Sequence, residues 1–222
     1  MNSNRLLQIT LFIDHNDSVI DIGCDHALLD IYLMENNLCK KALATDISEN
    51  ALNQGIANIK KHDLEFVIPT LVSDGLKSID SSNYNTIVLS GMGAFTIIDI
   101  LKNKKKLKSI NKIIISSNNN HVLVRRKLNR LGYYLSDEKV VSDKDHFYPI
   151  MKFVKSHKKN KLCELKYGLF KISNLPYYEE VVRHNKELIK VIKHDFFKKL
   201  KLRIEIFYYQ RYIKKITGKR LK

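Results

Sequence analysis

The stretch DIGCDHALLDIYL at positions 21–33 decides the fold, because it joins the end of an apolar strand to the start of a helix through one glycine. Gly23 lets the backbone approach a ligand closely, as in the loops that bind nucleotide cofactors. The other glycines of a G-x-G-x-x-G loop are missing, and Asp25 and His26 stand where small residues would surround a pyrophosphate. The loop therefore indicates a nucleoside cofactor that lacks phosphates.

Short apolar runs alternate with helix-length segments on the carboxyl-terminal side of this loop. The alternation predicts an α/β fold, a Rossmann-like and mostly parallel sheet with helices on both faces. A short turn separates the last two runs, so we expect them to form a hairpin in which one strand is antiparallel. The seven predicted strands are 18–23, 41–46, 65–73, 84–91, 111–117, 133–141 and 147–154.

The character of the chain changes after about residue 156, where a basic connector leads into a mostly helical segment. Its apolar residues recur at helical spacing and predict two helices that break near His194–Asp195. We expect a cofactor-binding domain at 1–160 and a basic, coiled-coil-like helical appendage at 161–222.

Charge is distributed unevenly along the 222 residues. Residues 1–100 carry 6 Lys+Arg and 13 Asp+Glu, whereas residues 101–222 carry 33 and 10. A block this basic favours a polyanionic partner, most simply a nucleic acid. The alternative is a solvated, lysine-rich surface.

Several other classes of protein are disfavoured by composition. No apolar run approaches the roughly 18 residues of a membrane span, and the first residues do not resemble a signal peptide. Cys24, Cys39 and Cys163 are widely spaced and form no C-x-x-C pair, so neither a disulfide framework nor a zinc site is expected. We expect a cytoplasmic monomer without a metal or a membrane anchor.

Acidic residues follow three of the predicted strands, and a glycine turn follows a fourth. Asp46 stands 23 residues after Gly23, where a carboxylate can accept from ribose hydroxyls, and Asp74 can accept from an adenine amino group. A ribose and an adenine without phosphates, next to acids that suit a cation, indicate S-adenosylmethionine. The predicted cofactor site comprises Asp21, Gly23, Asp25, His26, Asp46, Ile47, Asp74, Gly75, Ser90, Gly91, Met92 and Gly93.

Taken together, DIGCDHALLDIYL, Asp46, SDGL at 73–76 and LSGMGA at 89–94 resemble the bacterial tRNA (adenine-N1)-methyltransferases that modify adenine 22. The resemblance covers roughly residues 5–155 and implies a class I methyltransferase fold, S-adenosylmethionine as cofactor and tRNA as partner. Ala94 replaces a second family glycine, and the family's Gln-Pro-Asn-like turn is Ser116-Ser117-Asn118 here, so only Asn118 carries over.

The predicted catalytic residues are Asp25, His26 and Asn118. Asp25 is expected to stabilise the cationic product base and to take a proton from its amine. His26 is expected to orient Asp25, carry the proton or bind the cofactor carboxylate, and Asn118 to contact the edge of the base. The alternatives are a helix cap for His26, a strand-end turn for Asn118, a helix cap for Asp46 and a turn residue for Asp74.

The target adenine must leave any pairing before N1 reacts, so the basic half of the chain is expected to hold the surrounding RNA. Core packing is an alternative for Tyr148. Two other functions remain open, methylation of another RNA and RNA binding without catalysis, while the missing phosphate loop disfavours an NAD(P)-dependent enzyme. The predicted RNA contacts are Lys104, Lys105, Arg125, Arg126, Lys127, Arg130 and Tyr148.

Overall fold

The computed structural model describes residues 4–143 and 146–218, which form seven strands and eight α-helices. The strands are β1 Ser18–Ile22, β2 Lys41–Asp46, β3 Thr70–Val72, β4 Thr86–Ser90, β5 Lys112–Ser116, β6 Tyr133–Asp143 and β7 His146–Lys155. The helices are α1 Asn4–Thr10, α2 Leu28–Glu35, α3 Glu49–Lys61, α4 Ala94–Ile100, α5 His121–Arg130, α6 Leu162–Tyr167, α7 Leu175–Val191 and α8 Phe196–Thr217.

All seven strands form one sheet in the order β3-β2-β1-β4-β5-β7-β6. Strands β1 to β5 pair in parallel, and β7 is antiparallel to both of its neighbours. The predicted hairpin and its single antiparallel strand are therefore confirmed. The order reverses at β1 and β4, and ligands bind at such a switch point, beyond the carboxyl ends of the strands.

Two predicted elements are shorter than expected. The run 65–73 is a strand only over Thr70–Val72, because Val67 and Ile68 donate to the carbonyl of Leu64 in a turn and Pro69 has no N–H to donate. The second is the helix-length segment AFTIIDILKNKKKL at 94–107, which follows the fourth predicted strand and is helical only as far as Ile100, where the lysine-rich stretch begins. Like charges at neighbouring positions disfavour its continuation.

Apolar side chains cover both faces of the sheet. Alternate residues of a strand point to opposite faces, so Ile20 and Ile22 of β1 join one buried cluster and Val19 joins another. The same alternation holds for Ile113, Ile115 and Ile114 of β5. Burial on both faces explains why these strands read as continuous apolar runs.

A buried ion pair closes the amino-terminal end of the sheet. The ammonium group of Lys112, at the start of β5, contacts the carboxylates of Asp14 and Asp17, at 2.6 Å from Asp17 Oδ2. Asp17 is only 6% exposed, so its charge is neutralised inside the chain.

The chain divides into two compact units between Leu169 and Phe170. This point lies beyond the boundary expected at 160/161, because α6 packs on α5 in the first unit. In the second unit α7 packs against α8, and the predicted break is confirmed, with the Asp195 side chain capping α8. Tyr178, Tyr209 and Tyr212 form an aromatic cluster with Phe170 between these helices. No helix within the described ranges combines the length and the apolar character needed to cross a membrane.

Candidate active site

A cleft of about 1090 Å³ opens at the carboxyl ends of β1, β2 and β4, beside the switch point. All of the predicted cofactor residues except Gly93 line it, and Gly93 follows Met92 directly as the N-cap of α4. The cleft has the size and mixed polarity of a small-molecule site.

The loop after β1 forms the floor of this cleft. Gly23 has φ +76°, and its N–H donates to the carbonyl of Thr45 at 2.8 Å. A Cβ at position 23 would overlap the terminal methyl group of Met92, which would have to move, whereas the positive φ disfavours every other residue, so the backbone angle is what requires glycine.

The rest of the loop presents Asp25 and His26 to solvent. Asp25 and Ala27 have φ values of 52° and 54°, a region that side chains other than glycine adopt only where the surroundings enforce it. Helix α3 holds the loop in this conformation: Gly55 leaves room for the Asp25 carbonyl, and the Asn58 side chain donates to the His26 carbonyl at 3.0 Å. His26 Nε2 lies 3.6 Å from Asp25 Oδ2, and the two side chains are 45% and 69% exposed.

Asp46, the last residue of β2, ties two turns together. Its Oδ2 accepts from the N–H of Asp25 at 3.1 Å and its Oδ1 from the N–H of Ser48 at 2.9 Å. A carboxylate has about four acceptor sites, so Asp46 keeps capacity for a ligand. The capping role expected as an alternative belongs to Ser48, whose hydroxyl accepts from the N–H of Ala51 at 3.3 Å in α3.

The turn after β3 carries Asp74 and Gly75. Asp74 is exposed and pairs with Lys77 at 2.5 Å. Gly75 has φ +59°, and a Cβ there would meet Ile100 of α4 at 2.8 Å. Ile100 also lines the cleft, so this glycine allows α4 to close one side of the site.

The LSGMGA turn is held by Asn118. The Asn118 amide nitrogen donates to the carbonyl of Gly91 at 2.7 Å, and its backbone N–H donates to the carbonyl of Met92. Its side-chain oxygen accepts from Arg5 Nη1 at 3.2 Å. Asn118 thus positions the turn, and its predicted contact with a base stays a prediction.

Arg5 of α1 is a cleft residue that the sequence did not reveal. Besides Asn118, its guanidinium contacts the ring face of Tyr148, 4.8 Å from the ring centroid. Tyr148 also packs at the border of a buried cluster, which agrees with core packing, the alternative given for it above.

Comparison with known proteins identifies the family. The family described as "Methyltransferase domain" matches residues 2–151. The protein in the solved structure of M. capricolum TrmK in complex with S-adenosyl-homocysteine is 30% identical to this chain. The TM-score is 0.81, and the match covers 96% of this chain and 98% of that one. The chain belongs to the TrmK family of methyltransferases.

Two curated relatives match this TrmK family member over a shorter part of the chain. A Mycoplasma genitalium protein, whose name proposes a tRNA methyltransferase, is 33% identical over 148 residues, 66% of each chain. The tRNA (adenine(22)-N(1))-methyltransferase of Bacillus subtilis is 29% identical over 150 residues, 67% of this chain. The chain thus spans 66% and 63% of the lengths of these two relatives.

Several predicted RNA contacts of this TrmK family member lie elsewhere than expected. Arg125 is 5% exposed and pairs with the buried Glu138, so its prediction as an RNA contact is wrong. Lys104 and Lys105 are exposed on the connection that returns to the amino end of β5, not at the mouth of the cleft, which Lys102 lines instead. Arg126 and Arg130 are exposed and Lys127 half-exposed on α5, and their contact with RNA stays a prediction.

The residues of the cleft fit S-adenosylmethionine. Carboxylates stand at three successive strand ends, and the Ser90 hydroxyl, which lines the cleft, has no hydrogen-bond partner among the described residues. Asp21 is 5% exposed; burial raises the pKa of its carboxyl group to about 7, a hydrogen bond from Asp30 opposes the rise, and the Asp46 charge adds to it. A cationic ligand would compensate this buried acid. Within the described ranges no three His, Cys, Asp or Glu side chains are grouped to hold a metal ion.

Proposed function

We propose that this protein transfers the methyl group of S-adenosylmethionine to N1 of adenine 22 in bacterial tRNA. The observation that carries the proposal is the cleft itself, with acids at three strand ends around Gly23 and with Asp25 and His26 at its exposed side. The similarity to the B. subtilis tRNA (adenine(22)-N(1))-methyltransferase supports the target, and the S-adenosyl-homocysteine in the M. capricolum complex supports the cofactor.

Each acid of the cleft has a distinct task in holding the cofactor. Asp46 accepts from the ribose hydroxyls, Asp74 from the adenine amino group, and Asp21 receives the ammonium group. When bound, S-adenosylmethionine supplies an electrophilic methyl group on a sulfonium. Met92 and Gly23 keep the site narrow at its floor.

The chain's work in the reaction is mainly positioning. Adenine N1 attacks in line with its own in-plane lone pair, so no covalent intermediate with the protein is needed, and alignment supplies much of the acceleration. Asn118 and Arg5 fix the turn at Gly91 that borders the reacting atoms.

Charge develops on the base as its N1 becomes methylated. The exposed carboxylate of Asp25 stabilises that cation and accepts a proton from the exocyclic amine. His26, 3.6 Å from the carboxylate, orients Asp25 or carries the proton onward. The rigid loop fixes both residues, because Asp46 and Asn58 hold its backbone.

The tRNA is held by positive charge outside the cleft, and its target base flips out of the stack to expose N1. Exposed basic residues of α5 and the helical unit contact phosphates, and tRNA shape supplies the specificity. We propose that residues after Leu169 act as this tRNA-binding appendage, and that the protein works as a monomer in the cytoplasm.

A methyl-transfer assay tests the proposal. The purified protein receives labelled S-adenosylmethionine with an unmodified tRNA transcript or with a transcript that carries guanine in place of adenine 22. We expect label only in the first transcript. Label in both moves the target to another nucleotide. No label, with or without cofactor binding, refutes tRNA methylation, and loss of cofactor binding would favour an RNA-binding scaffold.

A further inference from the structure

The buried carboxyl group of Asp30 has no part in the function proposed above. Asp30 lies in the first turn of α2, directly after the cofactor loop, and is fully buried. Neither of its oxygens accepts a hydrogen bond from the N–H or O–H group of another described residue. A buried carboxylate without donors is costly, so this group requires a proton.

Asp30 shares its site with one other carboxyl group, that of Asp21. The two side chains lie within hydrogen-bonding reach, and Asp21 lines the cleft on its other side. Burial, followed by the Asp21 charge, raises the pKa of Asp30 well above its usual range. The pKa of Asp21 is also raised, but the hydrogen bond from Asp30 limits the rise.

The groups around this pair are acids and thiols. The Asp46 charge acts on Asp21, and the charges of both carboxyl groups raise the pKa of the Cys24 thiol after burial. Cys39, which Asp17 also influences, lies near Asp30. Among the described residues, none of the groups that act on the pair is a cation.

The two acids, Asp21 and Asp30, are therefore compensated when one of them holds a proton and the other contacts a cation from outside the chain. We propose that Asp30 is a positioning residue whose carboxyl O–H donates to Asp21, keeping Asp21 as the anion that receives the ammonium group of the cofactor. The inference rests on the proposed function, because it requires a cationic amino-acid ligand in the cleft. Two ionised carboxylates this close would repel each other, so the proton stays on the deeper group.

The pH dependence of ligand binding distinguishes this role from a packing role. The probe is S-adenosylhomocysteine, titrated by calorimetry over pH 5.5–7.5, below the range of about 7.7–8.0 in which a free α-amino group loses its proton. Wild-type affinity should rise with pH and level off above about pH 7, the pKa to which burial raises Asp21, and it should fall about tenfold per pH unit below that midpoint.

Two substitutions at position 30 then give opposite results. Asp30→Asn keeps a donor of the same shape and should leave the midpoint within about half a unit of wild type. Asp30→Ala removes the donor, so the midpoint should rise by at least about one unit, beyond the upper end of the titration, with about tenfold weaker binding at pH 6. An unchanged midpoint in Asp30→Ala, or a shifted one in Asp30→Asn, overturns the role of Asp30.

A second measurement does not depend on the stability of the Ala variant. Infrared spectra of the wild-type complex at pH 8 should contain a protonated carboxyl band that Asp30→Asn lacks, and identical spectra would overturn the inference.

Failure of the proposed function would give a different result from failure of the Asp30 inference. Wild-type protein that binds S-adenosylhomocysteine at no pH refutes the cofactor, whereas binding without a difference between the variants refutes only the Asp30 inference.

Discussion

Removal of the Arg125 side-chain charge should unfold the first unit more easily while leaving RNA binding intact. The Arg125 guanidinium contacts Glu138 Oε1 through Nε, at 3.2 Å, and through Nη2. Glu138 is 2% exposed, and its other oxygen accepts from the N–H of Leu169 at 2.6 Å. Arg125→Met keeps much of the side-chain length and leaves Glu138 as a buried charge without its cation.

The magnitude follows from the burial of both partners. Breaking a buried ion pair on one side costs about 3–5 kcal/mol, a large part of the 5–15 kcal/mol that stabilises a typical domain. For a chain of this size the thermal midpoint should fall by about 6–20 °C. Arg125→Met/Glu138→Gln removes both charges and retains an acceptor for Leu169, so it should recover most of the loss.

Arg126 is the matched control, since it neighbours Arg125 in sequence but is exposed. Arg126→Gln should leave the unfolding midpoint unchanged and, if it contacts a phosphate, lower the salt slope of tRNA binding by about 1. Thermal unfolding and tRNA binding as a function of salt are measured on all four proteins. An Arg125→Met protein of wild-type stability that binds tRNA more weakly would refute the structural role.

Three further predictions concern the cleft. Gly23→Ala should weaken S-adenosylhomocysteine binding about tenfold or more in calorimetry, because φ is +76° and the new Cβ would overlap the Met92 methyl group. Gly132→Ala is the control, since Gly132 has φ +88° and no atom within 4 Å of the added Cβ. An equal loss of affinity in both variants would contradict the reasoning. Asp25→Asn should lower kcat for tRNA methylation about 100-fold or more, and near-normal turnover would end its catalytic role. Burial raises the Asp21 pKa from 3.8 to about 7, so the folded state holds a proton that the unfolded state has lost between these values. The ligand-free unfolding midpoint should therefore fall as pH rises from about 4 to 7, level off above 7, and fall less steeply in Asp21→Asn; equal slopes in the two proteins would contradict the reasoning.

The parts of the fold that the sequence predicts are those set by local pattern. Apolar runs bounded by turn residues located every strand, and the acids after β1, β2 and β3 met at one edge because parallel strands end on the same side. The break before Asp195 is also set by a local pattern, since an aspartate is a preferred N-cap residue and indicates that a helix starts after it.

The misjudged residues depend on partners that are distant along the chain. An arginine in a basic helix is usually exposed, and nothing in the sequence around Arg125 indicates otherwise. Arg125 is buried because it pairs with Glu138, thirteen positions further along the chain. Arg5 reaches the cleft by bonding Asn118, 113 positions away. Neither pairing leaves a periodic signal, because a tertiary contact between single side chains is independent of the spacing along the chain.

The buried acids of β1 and its neighbours are neutralised differently at the two ends of the sheet. At the amino end Asp17 is satisfied by Lys112 within the chain, at 2.6 Å. At the carboxyl end, four residues further along, no cation among the described residues acts on the Asp21 carboxyl group, and the Asp30 side chain supplies a hydrogen bond. Burial without a cationic partner raises the free energy of an ionised acid. Buried acids of this kind are typical of functional sites, where a bound cation can compensate the charge. The contrast between these two aspartates thus marks the carboxyl end as the ligand site on electrostatic grounds alone, independently of any sequence motif.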